Sequence, residues 1–505
     1  MMRLLRVAIG AALFASAAPV RSADHAGALI TTGELRTHVE TLAADSLEGR
    51  EAGRRGGQAA GAYILSELKR LAVRPAGDDG SFVQDFNGQY RNILALIAGS
   101  DERLAREIVV VGAHYDHVGY GNKANSYGPF GQIHNGADDN ASGTAALLEL
   151  IEAFADSEAK PKRTLLFAFW DAEEKGLLGS EHWISHPTVP NASIAFAFNF
   201  DMLGRLRDRN VEVYGVRTAA GLRRLVSERN TGTDLMLTFD WTQRDDSDHW
   251  SFYKRRIPYL MLHTGLHNEY HRPSDDVNLI NVEGLRDVTT FCERTIAAVA
   301  DSPSTWTFRS TCSSETNDTD KRLSTPQAQP PSRLGVRWDD AAGGRGEFLL
   351  TTVTNGSPAE AAGLHVGDRI IAVDGVAPAD TAAFRRAVLS AVKEVGLTVT
   401  REELTREMPV RLAGDRVRVG MTWRLDDAEP GVVILRGVVV GSAAHAAGLQ
   451  VGDRILKVTG RSFADDAAFR EAFTAAEPSP ELTVERQGRL WTTKIDLDAP
   501  AEPMP

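Results

Sequence analysis

Residues 109–116 read Val-Val-Val-Gly-Ala-His-Tyr-Asp, an apolar run that ends in polar residues. A run that is apolar at nearly every position is typical of a buried strand in a sheet covered on both faces. Residues two apart on a strand face the same side, so His114 and Asp116 are expected to lie together at the end of this strand. His114 could bind a metal there while Asp116 holds its other ring nitrogen. The alternative is a histidine that is hydrogen-bonded within the core.

Similar apolar runs alternate with helical patterns from about residue 30 to 301. This alternation predicts an α/β domain whose mixed, largely parallel sheet is sandwiched by helices. Helical spacing covers residues 59–71 and 144–154. The predicted strands are residues 92–97, 108–112, 164–170, 194–200 and 257–262.

Polar residues follow several of these strands. The turn-rich loop Asn-Gly-Ala-Asp-Asp-Asn-Ala-Ser-Gly at residues 135–143 places Asp138 where a loop carboxylate could bridge two cations. The small residues beside it permit close approach of the backbone. The alternative is a simple helix N-cap, a position that Asp, Asn and Ser favour.

Adjacent carboxylates at the end of a strand can divide two tasks. Glu173 and Glu174 follow the strand at 164–170, so that one could bind metal while the other remains free as a base. The alternative is an acidic first helical turn, which the helix dipole favours. Asp201 ends the next strand, and His271 follows a further strand and the loop 263–270.

These side chains offer imidazole and carboxylate ligands without any thiolate. Three such ligands per metal and one shared carboxylate fit two zinc ions about 3.5–4 Å apart, with an open position for water. Cobalt or manganese could substitute chemically. The sequence therefore predicts a two-metal hydrolytic site.

The chain resembles the zinc aminopeptidase family (clan MH) that includes bacterial leucyl aminopeptidases and yeast aminopeptidase Y. The likeness covers about residues 35–300 and rests on Gly-Ala-His-Tyr-Asp-His at 112–117, Gly-Ala-Asp-Asp-Asn-Ala-Ser-Gly at 136–143, Ala-Glu-Glu-x-Gly-Leu-x-Gly-Ser at 172–180 and Asn-x-Asp-Met-x-Gly at 199–204. It implies a phosphorylase/hydrolase-like exopeptidase fold and two Zn²⁺ ions per chain.

The resemblance also implies a role for each candidate residue. The family pattern gives one zinc to His114 and Asp201, the other to Glu174 and His271, and makes Asp138 the bridge. The remaining expected roles are general base for Glu173, partner of the His114 ring for Asp116, and stabilisation of the tetrahedral oxyanion for Tyr270. For Tyr270 the alternative is an aromatic ring packed beside the metal loop.

The chain departs from the family at residues 270–276, which read Tyr-His-Arg-Pro-Ser-Asp-Asp where Tyr-His-Thr-Pro-x-Asp-Thr is usual. Arg272 and Asp276 replace threonines, which leaves the ligand intact and puts substrate preference around this loop in question. Residues 247–249, Ser-Asp-His, also resemble a family segment and are expected behind the ligands or in the pocket wall.

A repeated module follows a polar linker. Ala-Gly-Leu at 362–364 recurs at 447–449, an offset of 85 residues (448 minus 363), and the signature beginning at Gly356 resembles PDZ domains of bacterial proteases. Residues 334–336 and 419–421 would be the loops that bind a peptide carboxylate, although a spacer role is an alternative. The expected boundaries are 1–23 for a signal peptide, 24–301 for the aminopeptidase domain, 302–331 for the linker, 332–412 and 413–499 for the two β-rich PDZ domains, and 500–505 for a tail.

The N-terminus, the net charge and the cysteines indicate the compartment of the protein and limit its possible partners. Arg3 and Arg6 precede an apolar stretch at 7–18 that is too short for a membrane span, which predicts an export signal and a periplasmic or secreted protein. A formal charge of −12 argues against nucleic-acid partners. Cys292 and Cys312 could form a disulfide or stay as free thiols, and we favour the disulfide.

Together these features predict an exported metallo-aminopeptidase that acts on peptides with a free N-terminus, whose PDZ grooves could also take peptide C-termini. Three alternatives remain open. A glutaminyl cyclase would use one functional zinc and release ammonia. A carboxypeptidase would need a basic pocket, for which only Arg272 is at hand. The third alternative is a binding protein without catalysis.

Overall fold

The computed structural model describes residues 29–189 and 193–497, so the predicted signal peptide lies outside the described residues. The helices are α1 Thr32–Leu42, α2 Arg55–Arg70, α3 Gly143–Asp156, α4 Leu178–Ser185, α5 Leu222–Arg229, α6 His249–Tyr253, α7 Val282–Asp301, α8 Asn317–Leu323, α9 Asp340–Gly343, α10 Pro358–Ala361, α11 Thr381–Ser390, α12 Ala443–Ala446 and α13 Asp466–Ala475.

The strands of the α/β domain are β1 Arg74–Pro75, β2 Val83–Phe86, β3 Tyr90–Ile97, β4 Glu107–His114, β5 Thr164–Trp170, β6 Ser193–Phe200, β7 Asn210–Tyr214, β8 Met236–Asp240 and β9 Tyr259–His263. The C-terminal strands are β10 Val336–Trp338, β11 Phe348–Val353, β12 Arg369–Val373, β13 Glu394–Arg401, β14 Leu404–Arg411, β15 Met421–Arg424, β16 Val433–Val438, β17 Arg454–Val458, β18 Glu481–Arg486 and β19 Arg489–Lys494.

The described part of the α/β domain is built on one nine-stranded sheet in the order β1-β3-β5-β4-β6-β9-β7-β8, with β2 paired to β3. The four central strands β5, β4, β6 and β9 run parallel, and antiparallel pairs join them to β3 and to β7. The predicted mixed, largely parallel sheet is thus confirmed.

The central strands are buried on both faces, which explains their continuous apolar sequence. One face packs against helices that include α1, α2, α3 and α7, and the other packs around Trp170, Trp183 and Phe252. The predicted strand and helix segments in this domain all fall on observed elements, with ends that differ by a few residues.

The carboxyl ends of the four parallel strands meet at one edge of the sheet. β4 ends at His114, β5 at Trp170, β6 at Phe200 and β9 at His263. The polar segments that follow these strands are therefore brought together, as is usual for sites in open α/β sheets.

Two five-stranded antiparallel sheets, β10–β14 and β15–β19, form the two C-terminal modules. The 85-residue offset of the repeat maps α11 onto α13 and β12 onto β17. Both modules have their own apolar core, centred on Phe384 in the first and Phe469 in the second.

The second module packs directly on the α/β domain. The Arg217 guanidinium hydrogen-bonds the Asp426 carboxylate at 2.9 and 3.1 Å, and that of Arg223 hydrogen-bonds Glu485 at 3.1 Å. The N–H of Leu237 donates to the Gln487 carbonyl at 2.9 Å. Buried ion pairs therefore fix this module to the α/β domain.

The linker has more structure than its composition predicts. It contains a 3-10 turn at Ser310–Ser314 and helix α8, and Glu315 pairs with Arg217 at 2.8 Å. Polar residues of the linker form hydrogen bonds with distant parts of the chain, and amino-acid composition alone does not predict such contacts. Cys292 and Cys312 are both buried free thiols, so the expected disulfide is wrong. Among the described residues, no helix combines the length and apolar character that crossing a bilayer requires.

Candidate metal centre

Two groups of side chains at this sheet edge could each hold a cation. The first consists of His114, Asp139 and Asp201, all buried. Nε2 of His114 lies 3.5 Å from Oδ1 of Asp139 and 3.4 Å from Oδ1 of Asp201. His114 ends β4 and Asp201 directly follows β6, the neighbouring parallel strand, so the sheet itself sets their spacing.

The second group consists of His117, Asp139, Glu174 and His271. Nε2 of His271 lies 3.1 Å from Oδ2 of Asp139 and 3.2 Å from Oε1 of Glu174. Asp139 is common to both groups and directs one carboxylate oxygen toward each. The structure therefore brings the predicted residues His114, Glu174, Asp201 and His271 around one shared carboxylate.

The shared carboxylate is Asp139 and not Asp138, which corrects the sequence-based expectation. The Asp138 side chain instead accepts hydrogen bonds from the Gly204 N–H at 2.6 Å and the Ser142 hydroxyl at 3.0 Å, and it lies 3.2 Å from Nε2 of His267. Asp139 has an extended backbone (φ −100°, ψ 97°), so the two neighbouring side chains point to opposite sides.

A buried arginine holds the backbone of this loop. The guanidinium of Arg50, which is 0% exposed, donates to the carbonyls of Asn135 at 2.6 Å, Gly136 at 2.9 Å and Tyr115 at 3.0 Å. Burial lowers the pKa of Arg50 to about 10, and the negative charge of Asp139 acts against that decrease. Arg50 thus remains protonated at neutral pH and ties the Asp139 loop to the end of β4.

Gly136 is required at the start of the same loop. Its φ is +55°, and a Cβ there would lie 2.1 Å from the Asp139 carbonyl oxygen and 2.5 Å from the His117 ring. Only glycine therefore lets the loop approach both residues.

Asp275 joins the loop to the His271 segment. Its carboxylate accepts the backbone N–H of Asp138 at 3.0 Å and that of Asp139 at 3.0 Å. Burial and the charge of Asp138 raise the pKa of Asp275 to about 7. This aspartate is the one kept from the family pattern at 270–276, and its contacts give it a structural role.

Asp116 contacts both His114 and Glu173. Its backbone carbonyl is the nearer partner of Nδ1 of His114, at 3.2 Å, whereas its carboxylate lies 3.8 Å from that nitrogen. The carboxylate accepts the Glu173 N–H at 3.0 Å. The expected contact of Asp116 with the His114 ring is thus made by the backbone, and the side chain positions the predicted base.

Glu173 is partly buried beside the first group. Burial raises its pKa well above the usual value; the His114 charge acts against this, and the carboxylates of Glu174, Asp248 and Asp201 add to it. A cation bound between these groups would favour the ionised form again. The pKa of Glu173 therefore depends on whether a cation is bound beside it.

The segment 247–249 lies behind Asp201. The Ser247 hydroxyl donates to Oδ2 of Asp201 at 2.7 Å and accepts from the Asn199 amide at 2.8 Å. Ser247 therefore orients one ligand oxygen, while Asp248 is fully buried and its pKa is raised to about 7, chiefly by burial.

Tyr270 and the loop before residue 135 form one side of the site. The Tyr270 ring stacks on His271 with centroids 4.0 Å apart, and the exposed ring of Tyr127 lies 6.2 Å from Tyr270. Arg272 donates to the carbonyls of Tyr127 at 2.8 Å and Gly128 at 3.0 Å. Arg272 is thus occupied in fixing this loop.

Three segments of the chain match known protein families. Residues 92–296 match peptidase family M28, and residues 350–401 and 410–484 each match the PDZ domain. The chain carries an M28 peptidase domain followed by two PDZ domains. It is 31% identical over 160 residues to a probable leucine aminopeptidase of Arthroderma otae, covering 30% of this chain and 40% of that protein.

The M28 domain has further relatives. It is 31% identical over 190 residues to aminopeptidase YwaD of Bacillus subtilis, covering 36% of this chain and 38% of that protein. The chain therefore spans about two fifths of the length of these curated relatives. The solved structure of the LapA aminopeptidase of Legionella pneumophila is similar at 21% identity and a TM-score of 0.46, over 55% of this chain and 74% of that one.

The donor set of the M28 domain fits zinc. The ligand atoms of a tetrahedral zinc lie about 3.3–3.6 Å apart when each bond is about 2.0–2.2 Å. The histidine nitrogens in the two groups lie 2.9 to 3.6 Å from the carboxylate oxygens, and all ligand atoms of a group lie within 4.8 Å of one another. Within the described residues, the ion pairs of Asp139, Glu174 and Asp201 are all with histidines. Buried carboxylates without lysine or arginine partners are arranged for a cation.

His117 was missed at the level of sequence, although it ends the Gly-Ala-His-Tyr-Asp-His pattern. It lies beyond the end of β4, where strand alternation no longer predicts the side to which a residue points. The signal available was a second histidine three residues after the first.

Both PDZ domains have a groove beside the expected carboxylate-binding loop. The first has a volume of about 1150 Å³ and is lined by Leu334, Val336, Trp338, Phe384 and Val388. The second, of about 470 Å³, is bordered by linker residues, and the Gln329 side chain donates to the Val438 carbonyl at 3.0 Å. Linker residues Gln329 and Pro330 border both grooves, and within the described part of the chain only the first groove reaches the helix of its module, α11.

Proposed function

We propose that this protein is an exported metallo-aminopeptidase that uses two zinc ions to hydrolyse N-terminal residues from peptides. The observation that carries the proposal is the shared carboxylate Asp139, with His114 and Asp201 on one side and Glu174 and His271 on the other. In this reading the M28 domain holds two cations at the carboxyl ends of its parallel strands.

Bound zinc supplies a Lewis acid that polarises a carbonyl and lowers the pKa of water. Glu173 is the general base: it takes the proton of the attacking water and later gives it to the leaving amine. The backbone N–H of Glu173 donates to the Asp116 carboxylate at 3.0 Å, and this hydrogen bond fixes the backbone of the general base. The Tyr270 hydroxyl is assigned the donation of a hydrogen bond to the developing oxyanion, and the stacking of its ring on His271 places the residue beside the ligands.

The free α-amine of the substrate is a cation, and carboxylates are its natural partners. Glu173 and Asp201 both lie beside His114, where they provide negative charge on the substrate side of the site. A peptide anchored by its amine exposes only its first peptide bond to the base. This restriction makes the enzyme an exopeptidase.

The export signal and the PDZ domains complete the proposal. Arg3, Arg6 and the apolar stretch 7–18 direct the protein to the periplasm or outside the cell. The groove of the first PDZ domain takes peptide C-termini by strand addition, because it lies between β10 and α11.

The test is digestion of matched peptides, one set with free and one with acetylated N-termini, followed by mass spectrometry with and without a zinc chelator. Stepwise loss of N-terminal residues from free peptides alone, abolished by chelator, is the expected result. Release of ammonia from N-terminal glutamine would instead identify a cyclase, and release from the C-terminus a carboxypeptidase. No product under any condition would favour a binding protein.

A further inference from the structure

The second histidine of the His-Tyr-Asp-His segment lies among the ligands of only one of the two metal groups. Nδ1 of His117 is 2.9 Å from Oε1 of Glu174 and 3.6 Å from Oδ2 of Asp139. The His271 nitrogen lies 3.1 and 3.2 Å from the same two oxygens. These separations are slightly shorter than or equal to the roughly 3.3–3.6 Å between ligand atoms of a tetrahedral zinc ion, and the four ligand atoms all lie within 4.8 Å of one another.

The two metal groups therefore differ in their number of protein ligands. The group around His114 has three side chains, and the group around His117 has four. Three protein ligands and one open position are typical of catalytic zinc, whereas four protein ligands are typical of a closed, structural zinc.

The His117 ring is held in place for this contact. Its side chain is 0% exposed, its backbone N–H donates to the Arg50 carbonyl at 3.2 Å, and Gly136 lies against the ring. Nε2 has no hydrogen-bond partner among the described residues. The ring is thus oriented by its Nδ1 side alone, which faces the two carboxylates.

Given the proposed two-zinc function, we propose that His117 is a fourth protein ligand of the ion held by Asp139, Glu174 and His271. That position is closed by protein atoms, and the position of His114, Asp139 and Asp201 is the one with room for substrate. The alternative role is an outer one, in which His117 only donates a hydrogen bond that orients Glu174.

The test compares wild type with His117→Gln and with His134→Gln, a control at another buried histidine that bonds Ser126 and belongs to neither group. Zinc affinity is titrated at both positions, and the absorption of Co²⁺-loaded protein is recorded at one and two equivalents. Four-coordinate Co²⁺ absorbs more strongly than Co²⁺ with five or six ligands.

We expect His117→Gln to weaken one zinc by about 10-fold or more, leave the other unchanged, and lower the intensity of the Co²⁺ spectrum. His134→Gln leaves both readouts as in wild type. An unchanged Co²⁺ spectrum in His117→Gln would overturn the inference, even if zinc affinity falls, because an outer hydrogen bond affects affinity without changing the number of ligands.

His117→Cys provides a positive signal that does not depend on loss of binding. A thiolate at position 117 that binds Co²⁺ produces a sulfur-to-metal charge-transfer band, and we expect this band in the variant and not in wild type. Its absence in a folded, Co²⁺-loaded variant would contradict the inference. Failure of the proposed function is distinguishable, since wild type would then bind fewer than two ions or release no N-terminal residues.

Discussion

Asp138 and Asp139 are adjacent in the chain, but their carboxylates lie on opposite sides of one loop. Asp139 directs its two oxygens toward His114 and His271, at 3.5 and 3.1 Å, whereas Asp138 accepts the Gly204 N–H at 2.6 Å. Two residues that are equivalent in composition therefore have different roles: one faces the metal groups and the other fixes the loop.

Asp139→Asn is expected to release metal, because the amide removes the one negative charge that both groups share. Even outer contacts of ligands are worth 10–100-fold in metal affinity, so we expect a loss of more than about 100-fold. The measurement is metal content by mass spectrometry after dialysis against defined free zinc. Asp138→Asn is the matched control and is expected to keep its metal. Equal loss in both variants would argue against Asp139 as the bridge.

Glu173→Gln is expected to keep both metals and to lose about 10²–10⁴-fold in kcat, the usual contribution of a general base. The glutamine amide keeps the size of the side chain but cannot accept the proton. Turnover of an unblocked peptide and metal content are measured on the same preparation. Lys175→Gln, a change two residues further along the same turn, serves as control and is expected to retain activity. Wild-type turnover in Glu173→Gln would rule out this base.

The strands around the site were open to prediction, because β4, β5 and β6 are apolar at nearly every position. The sequence could not show whether Asp138 or Asp139 is the shared carboxylate. That depends on the backbone angles of a loop, and both residues are of the same type. His117 was hidden for the same reason. The contact of Arg217 with Asp426 joins segments 209 residues apart, so it follows from tertiary packing alone.

Arg50→Met is expected to destabilise the α/β domain and its metal loop. Several buried carbonyl oxygens would lose their donor, and each unsatisfied group costs about 1–3 kcal/mol, so we expect a total near 3 kcal/mol or more. Urea unfolding and zinc affinity are the measurements. Arg55→Met, which breaks the more exposed pair with Glu48, is the control and is expected to change stability by less than about 1 kcal/mol. Equal effects of the two changes would refute a special role for Arg50.

Arg217 fixes the second PDZ domain to the M28 domain. Its guanidinium lies over the Trp241 ring at 4.1 Å and pairs with Asp426 and Glu315, and both it and Asp426 are 5% exposed. Burial opposes ionisation of Asp426, but the hydrogen bonds from Arg217 and Arg424 outweigh it and hold the pKa well below its usual value. The pKa of Glu315 is lowered in the same way by Arg217 and Arg309.

This arrangement predicts that the PDZ contact weakens in acid. A carboxylate with a lowered folded pKa contributes stability above its ordinary pKa of about 4 and loses it as pH falls toward the folded value. We expect the domains to stay docked from about pH 5 to 8 and the contact to weaken progressively as pH falls below about 4 toward the lowered folded pKa values of Asp426 and Glu315, measured by small-angle scattering. Arg217→Met removes one partner of a buried pair at a cost of about 3–5 kcal/mol, so it should weaken docking at neutral pH although the Arg223–Glu485 pair remains, whereas exposed Arg337→Met should not. Docking that is insensitive to both acid and Arg217→Met would show that apolar packing, and not this ion pair, holds the domains together.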